Sequence, residues 1–205
     1  LFEANRGSIS GSEDYAKLCY DAGIDYFLYY AYGDELARGS QAVTWFDAAI
    51  ADLAASRMIG FDTETKPVFQ PHAPRCHTAL LQLSNEERSY LFRLHSLGLP
   101  DPLADILASR TITKVGAAVA DDVRGLQHYN RFEPARFMDL QHFAESYGIK
   151  DKSVKKLAGI ILGRRVSKAQ QLSNWEASTL SFPQQLYAAT DAWICLVMYK
   201  RLLAS

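Results

Sequence analysis

Apolar and polar positions change period several times along this chain, and each change marks an element. From Thr44, Phe46, Ile50 and Leu53 recur at helical spacing and stop before Arg57, which predicts a helix that delivers the chain into a strand. Met58-Ile59-Gly60-Phe61-Asp62-Thr63-Glu64-Thr65 is a short apolar run that ends in two carboxylates one residue apart, the pattern of a central strand with a site at its end. A loop broken by Pro67, Pro71 and Pro74 comes next. The β-rich runs 78–83 and 89–94, separated by Asn85-Glu86-Glu87-Arg88, then read as a hairpin. With residues 58–62 they make three consecutive strands of one sheet. The remainder alternates: helix over 102–109, strand over 113–117, helix over 120–129, strand over 136–140, then mostly helix to residue 205. That order gives an α/β fold, a mixed sheet flanked by helices.

Residues 1–42 differ in character. A Gly/Ser opening precedes a tyrosine-rich stretch in which Tyr26, Tyr29, Tyr30 and Tyr32 cluster, and Ser12 and Gly23 are a plausible helix start and stop. This stretch reads as a mainly helical N-terminal extension of unassigned role, its aromatics suited to packing on the main domain or a partner, and the main domain as 43–205. Composition is that of an ordinary globular protein, with 48% hydrophobic and 22% charged residues and a net charge of -1. Coating nucleic acid by charge alone is therefore disfavoured, although gripping one strand end through a local patch is not. Such a patch exists: Lys150, Lys152, Lys155, Lys156, Arg164, Arg165 and Lys168 face the single acid Asp151 in this neighbourhood. Cys19, Cys76 and Cys195 are odd in number and widely spaced, so neither a zinc site nor a disulfide framework is expected. No apolar run reaches membrane-spanning length, and a reducing, cytoplasmic setting is the expectation.

Candidate chemistry concentrates in three places. On a strand, Asp62 and Glu64 project to the same face, where their charges repel unless a cation lies between them. In the C-terminal helix, Tyr187, Asp191, Ile194, Met198 and Leu202 fall on one inward stripe, so Asp191 needs a partner or a metal. In the third, Thr113-Lys114-Val115-Gly116-Ala117-Ala118-Val119-Ala120-Asp121-Asp122, a strand and a glycine precede a helix opening on two acids. Neighbours on a helix point apart, so one of the two faces the site.

Taken in order, D-x-E, then a glycine followed by a helix-opening Asp, then Y-x-x-x-D near the C-terminus resembles the DEDD superfamily of 3'-5' exonucleases in its tyrosine subclass (DEDDy). The likeness is greatest to Werner-like and ribonuclease D-like exonuclease domains. Ala79-Leu80-Leu81-Gln82-Leu83, Tyr90-Leu91-Phe92-Arg93-Leu94 and Leu172-Ser173-Asn174-Trp175 add to it. A His five residues before the last Asp would mark the histidine subclass, and that position holds Leu186.

The resemblance implies a ribonuclease H-like fold with Asp62, Glu64, Asp122, Tyr187 and Asp191 as catalytic residues. Asp62, Glu64 and Asp191 would hold one divalent ion, and Asp62 with Asp122 a second. Two such ions about 3.5–4 Å apart clamp the attacking and leaving oxygens of a phosphodiester. All-oxygen ligation favours Mg²⁺ or Mn²⁺. Tyr187 would orient the attacking water, and nucleoside 5'-monophosphates would leave from the 3' end of DNA or RNA. Thr63, Lys155, Arg164, Arg165, Lys168 and Trp175 are the candidates for holding the strand. The alternatives are a ribonuclease D-like RNA 3'-end processing enzyme and a non-catalytic nucleic-acid-binding or partner-binding module.

Overall fold

The computed structural model describes residues 27–31, 40–69 and 77–205, with side chains from residue 46. Among the described residues, in chain order, are β1 (Phe27–Ala31), α1 (Ser40–Ala55), β2 (Met58–Thr65), β3 (Thr78–Ser84), β4 (Arg88–Arg93), α2 (Leu94–Leu97) and α3 (Asp101–Ala108). β5 (Thr113–Gly116), α4 (Val119–Leu126), β6 (Phe137–Asp139), α5 (Leu140–Ser146), α6 (Val154–Leu162) and α7 (Phe182–Leu203) complete the series. The strands form one mixed sheet in the order β1-β4-β3-β2-β5-β6. β2, β3 and β4 are the expected antiparallel trio, and β5 and β6 add parallel strands on the far side of β2.

The alternation of side chains explains the layers. Ile59, Phe61, Leu81, Leu83, Tyr90 and Phe92 point to one face and pack with Leu103, Leu107, Val119, Val123 and Leu126 of α3 and α4. On the other face lie Gly60, Asp62, Leu80, Gln82 and Leu91, covered by α7. Every residue of β3 is buried, as expected of a central strand covered on both sides. In α7 the stripe of Ile194, Met198 and Leu202 is buried, and Pro183 in the first turn and Gln184, which accepts from the Ser181 N–H at 2.9 Å, fix its start.

Two differences from the sequence reading stand out. Residues 27–31, within the stretch read as a mainly helical extension, form β1 and pair in parallel with β4, and α1 begins at Ser40, ahead of the boundary at 43. Tyrosine favours strands as readily as it packs on helices, so the aromatic cluster alone did not decide. The helix read between Ser12 and Gly23 lies outside the described residues. Second, the helices of the C-terminal third are interrupted, since residues 163–181 run irregularly between α6 and α7. Gly163, with φ at 66°, ends α6 in the left-handed region. The segment is held by contacts to the domain instead. Buried Arg93 donates to the carbonyls of Ala177 and, at 2.9 Å, Ser178; Lys66 pairs with Glu176 at 3.1 Å; and Trp175 is fully enclosed.

Candidate active site

β2 carries the first two acids to the point where its pairing changes. Its ladder with β5 covers Met58 to Gly60 only, while its ladder with β3 runs on to Thr65, so one edge of Asp62-Thr63-Glu64 is open. α7 crosses this end of the strand at backbone contact. A Cβ on Gly60 would lie 2.0 Å from the Ala192 carbonyl oxygen, so only glycine admits the helix this close. Asp191, next to Ala192, is thereby brought over Asp62. Oxygens of Asp62, Glu64 and Asp191 all lie within 4.8 Å of one another.

The fourth acid arrives from the other layer. α4 packs its apolar side on the opposite face of the sheet, yet Asp122 reaches the open edge of β2, where the Thr63 hydroxyl donates to its Oδ1 at 2.6 Å. Asp121 points away, exposed and paired with Arg124. The turn into α4 passes through Ala118, whose φ of 57° is left-handed, and Gly116 lies against the Phe61 carbonyl, where a Cβ would approach to 2.6 Å. These two features set the register that presents Asp122 rather than Asp121.

The charges are mutually uncompensated. Burial, with Asp191 and Asp122 nearby, raises the Asp62 carboxyl well above the usual range. Burial and the charges of Asp62, Asp191 and Asp122 push Glu64 up to about 10. Burial raises Asp191 to about 7, against the pull of a hydrogen bond from Tyr187 and the charge of Lys168. Burial and Asp139 raise Asp122 to about 6, with the Thr63 bond opposing. Such a cluster is the donor set of a hard divalent cation: oxygens only, converging, and relieved of their repulsion by a positive charge. The residues present fit that group.

Around the cluster are two recesses. One, about 160 Å³, is lined by Asp62, Asp191 and Tyr187 together with Lys155, Lys168 and Gln171. The other, about 690 Å³, begins at Asp122 and runs past Lys66, His77, Arg124 and His128. Of the residues expected to hold a strand, Lys155 and Lys168 therefore line the first recess. Arg164 and Arg165 are exposed and line neither. Trp175 is corrected to a packing residue: it is 0% exposed and tilts against the Tyr187 ring at 6.0 Å, so no base can stack on it. Thr63 lies at the open edge of β2, where its hydroxyl donates to Asp122 and keeps its acceptor lone pairs. Sequence reading missed the role of Gly60, whose signal was a glycine inside a strand.

Comparison with known proteins agrees with this geometry. A family model described as 3'-5' exonuclease matches residues 40–205. The chain belongs to the 3'-5' exonuclease family. This exonuclease domain is 35% identical over 150 residues to exonuclease 3'-5' domain-containing protein 2 of Drosophila melanogaster, covering 71% of the chain and 25% of that protein. It is 31% identical over 157 residues to the bifunctional 3'-5' exonuclease/ATP-dependent helicase WRN of Mus musculus, covering 73% of the chain and 11% of that protein. The Aedes aegypti Nibbler EXO domain has the same fold, with a TM-score of 0.71 at 20% identity over 90% of this chain and 88% of that one. The match thus spans a quarter or less of the length of the first two relatives. Among the described residues, no helix of the exonuclease domain is long and apolar enough to cross a membrane, and Cys195 is a buried free thiol. Cys19 and Cys76 lie outside the described residues.

Proposed function

We propose that this chain removes nucleotides one at a time from the 3' end of DNA or RNA, using two divalent ions, Mg²⁺ or Mn²⁺. The observation that carries the reading is the convergence of Asp62, Glu64 and Asp191 within 4.8 Å, with Asp122 held at the open strand edge beside them. Asp62, Glu64 and Asp191 would hold one ion, and Asp62 with Asp122 the other. When bound, the ions supply Lewis-acid charge to the phosphodiester and ease its attack by water.

The chain's own groups do the rest. The Tyr187 hydroxyl is bonded to Asp191, and burial beside these acids raises its pKa further above the ordinary tyrosine value, so it stays protonated at neutral pH. It therefore acts as a fixed hydrogen-bonding group that orients the attacking water, not as a base. Trp175 beneath the Tyr187 ring keeps that hydroxyl in place. Lys155 and Lys168, which line the smaller recess, would hold phosphates and bring the terminal linkage onto the carboxylates.

A 5'-labelled oligonucleotide tests the polarity. It should shorten as a ladder in Mg²⁺ or Mn²⁺, stay intact in chelator, and release nucleoside 5'-monophosphates, while a covalently closed circle should survive. Early release of the label as a mononucleotide would refute the direction of attack, and cutting of the circle would make the enzyme an endonuclease.

A further inference from the structure

The layer between the sheet and α7 holds a polar side chain for which the proposed chemistry has no use. Gln82, in the middle of β3, is 0% exposed, and neither its Oε1 nor its Nε2 has a hydrogen-bond partner among the described residues. A primary amide brings two donors and an acceptor, and enclosing all of them unsatisfied is costly. Nothing about packing asks for it: its strand neighbours Leu81 and Leu83, and Leu91 opposite on β4, are buried leucines. Ser84 and Ser89 on this face are served, since they bond to each other at 2.7 Å and Ser89 donates to the Ala189 carbonyl at 3.3 Å, whereas the buried Trp175 indole N–H also has no partner among the described residues.

What distinguishes Gln82 is its neighbour. In the antiparallel ladder of β2 and β3 it stands directly opposite Asp62. Residues so paired share a face, with Cβ atoms about 4.5–5.5 Å apart. The α7 residues over this part of the sheet include Ala188, Ala189 and Ala192, which offer no polar side chain. Asp62 is the polar group that the strand register sets directly opposite the amide.

We propose that Gln82 is a positioning residue for Asp62: its amide donates to the Asp62 carboxylate, directly or through one ordered water, when the acidic cluster holds its divalent cation. The inference rests on the metal-dependent function proposed for the cluster. In the cation-bound state Asp62 is ionised, and an oxygen not facing the cation is a strong acceptor that a fixed N–H donor orients. Without the cation, the amide is a buried polar group that weakens the fold. Gln82 therefore trades stability of the metal-free protein for a better-ordered ligand.

Gln82→Met, which keeps the length of the side chain and removes its polar atoms, separates these effects, with Gln82→Leu as a second variant. In chelator, thermal unfolding of the full chain should move to higher temperature than in the native protein. Calorimetric titration with Mn²⁺ should show binding about 10- to 100-fold weaker, the usual loss on removing a group that orients a metal ligand. At saturating Mn²⁺, kcat on a 5'-labelled oligonucleotide should fall with KM unchanged. Native Mn²⁺ affinity in both variants would overturn the role of Gln82 while leaving the metal-dependent function intact. A lower unfolding temperature in chelator for both would overturn the premise that the amide is unsatisfied. A native chain that binds no Mn²⁺ would overturn both the role of Gln82 and the function it rests on.

Discussion

Gly60→Ala tests how the site is assembled. The added Cβ would sit 2.0 Å from the Ala192 carbonyl oxygen and 2.7 Å from its carbonyl carbon, backbone atoms of α7 with no rotamer by which to move aside. Restoring an ordinary contact of 3.4 Å means withdrawing the helix from β2 by about 1.4 Å at this point, in a layer packed at crystal-like density. Overpacking of this kind costs about 1–3 kcal/mol, and more where backbone must shift. Ala192 follows Asp191, so the same movement carries Asp191 away from Asp62 and Glu64. A misplacement of about 1 Å at a reacting centre costs on the order of 100-fold in rate. The variant should therefore unfold at lower denaturant concentration, bind Mn²⁺ more weakly and show a single-turnover rate about 100-fold lower on a 5'-labelled oligonucleotide. Native stability would refute the close approach of helix and strand. A destabilised variant with native Mn²⁺ affinity and rate would refute the idea that this approach sets the carboxylate spacing.

The other acids and the tyrosine make separable predictions. Asp122→Asn should reduce the single-turnover rate severely and Asp121→Asn only slightly, because Asp122 is bonded to Thr63 beside the cluster while Asp121 is an exposed partner of Arg124; reversed severities would mean that α4 presents the other acid. Tyr187→Phe should cost roughly 10- to 1,000-fold in single-turnover rate, the range for loss of one positioned hydrogen-bonding group, with Mn²⁺ affinity by calorimetry unchanged. Stability of the chain in chelator should fall as pH rises. Each acid of the cluster is raised in the folded state, so between about pH 4 and their folded values, about 6 for Asp122, about 7 for Asp191 and about 10 for Glu64, the folded chain binds more protons than the unfolded one. Denaturant midpoints in chelator at about pH 5 and about pH 8 would test this, and a midpoint that rose with pH would contradict it.

How legible the site was depended on whether an element's own residues carried the constraint. The spacing in Asp62-Thr63-Glu64 and the stripe through Tyr187 and Asp191 are local, and periodicity alone put Asp62 and Glu64 on one face and Asp191 on the inward side of its helix. The choice of Asp122 over Asp121 came with the family resemblance, but its cause, the left-handed Ala118 and the bond from Thr63, involves residues brought together by the sheet. Trp175 was ambiguous because an aromatic in a polar segment can serve as a packing anchor or, less often, as a stacking surface. What decides it is enclosure between β3, β4 and α7, which no local pattern encodes. The irregular course of 163–181 was illegible for a similar reason. It is held by Arg93, Lys66 and Trp175, contacts spanning 84 residues in the case of Arg93 to Ala177 and 110 in that of Lys66 to Glu176.

The two ways in which acids reach this site have different stiffness, and that difference bears on how it would work. Asp62, Glu64 and Asp191 are set by a strand in a six-stranded sheet and by a helix in backbone contact with it, so their spacing changes only if the layer between sheet and helix opens. Asp122 is set by one hydroxyl bond from Thr63 and by an eight-residue helix lying against the other face of the sheet, at an edge where β2 has no strand partner. A cation held by the first three acids would meet a preformed donor set. One held by Asp62 and Asp122 would have fewer carboxylates from the chain and would leave room for a substrate phosphate to complete its coordination. The rigid trio would then supply most of the affinity, and the fourth acid would tie full assembly of the site to the arrival of a strand end.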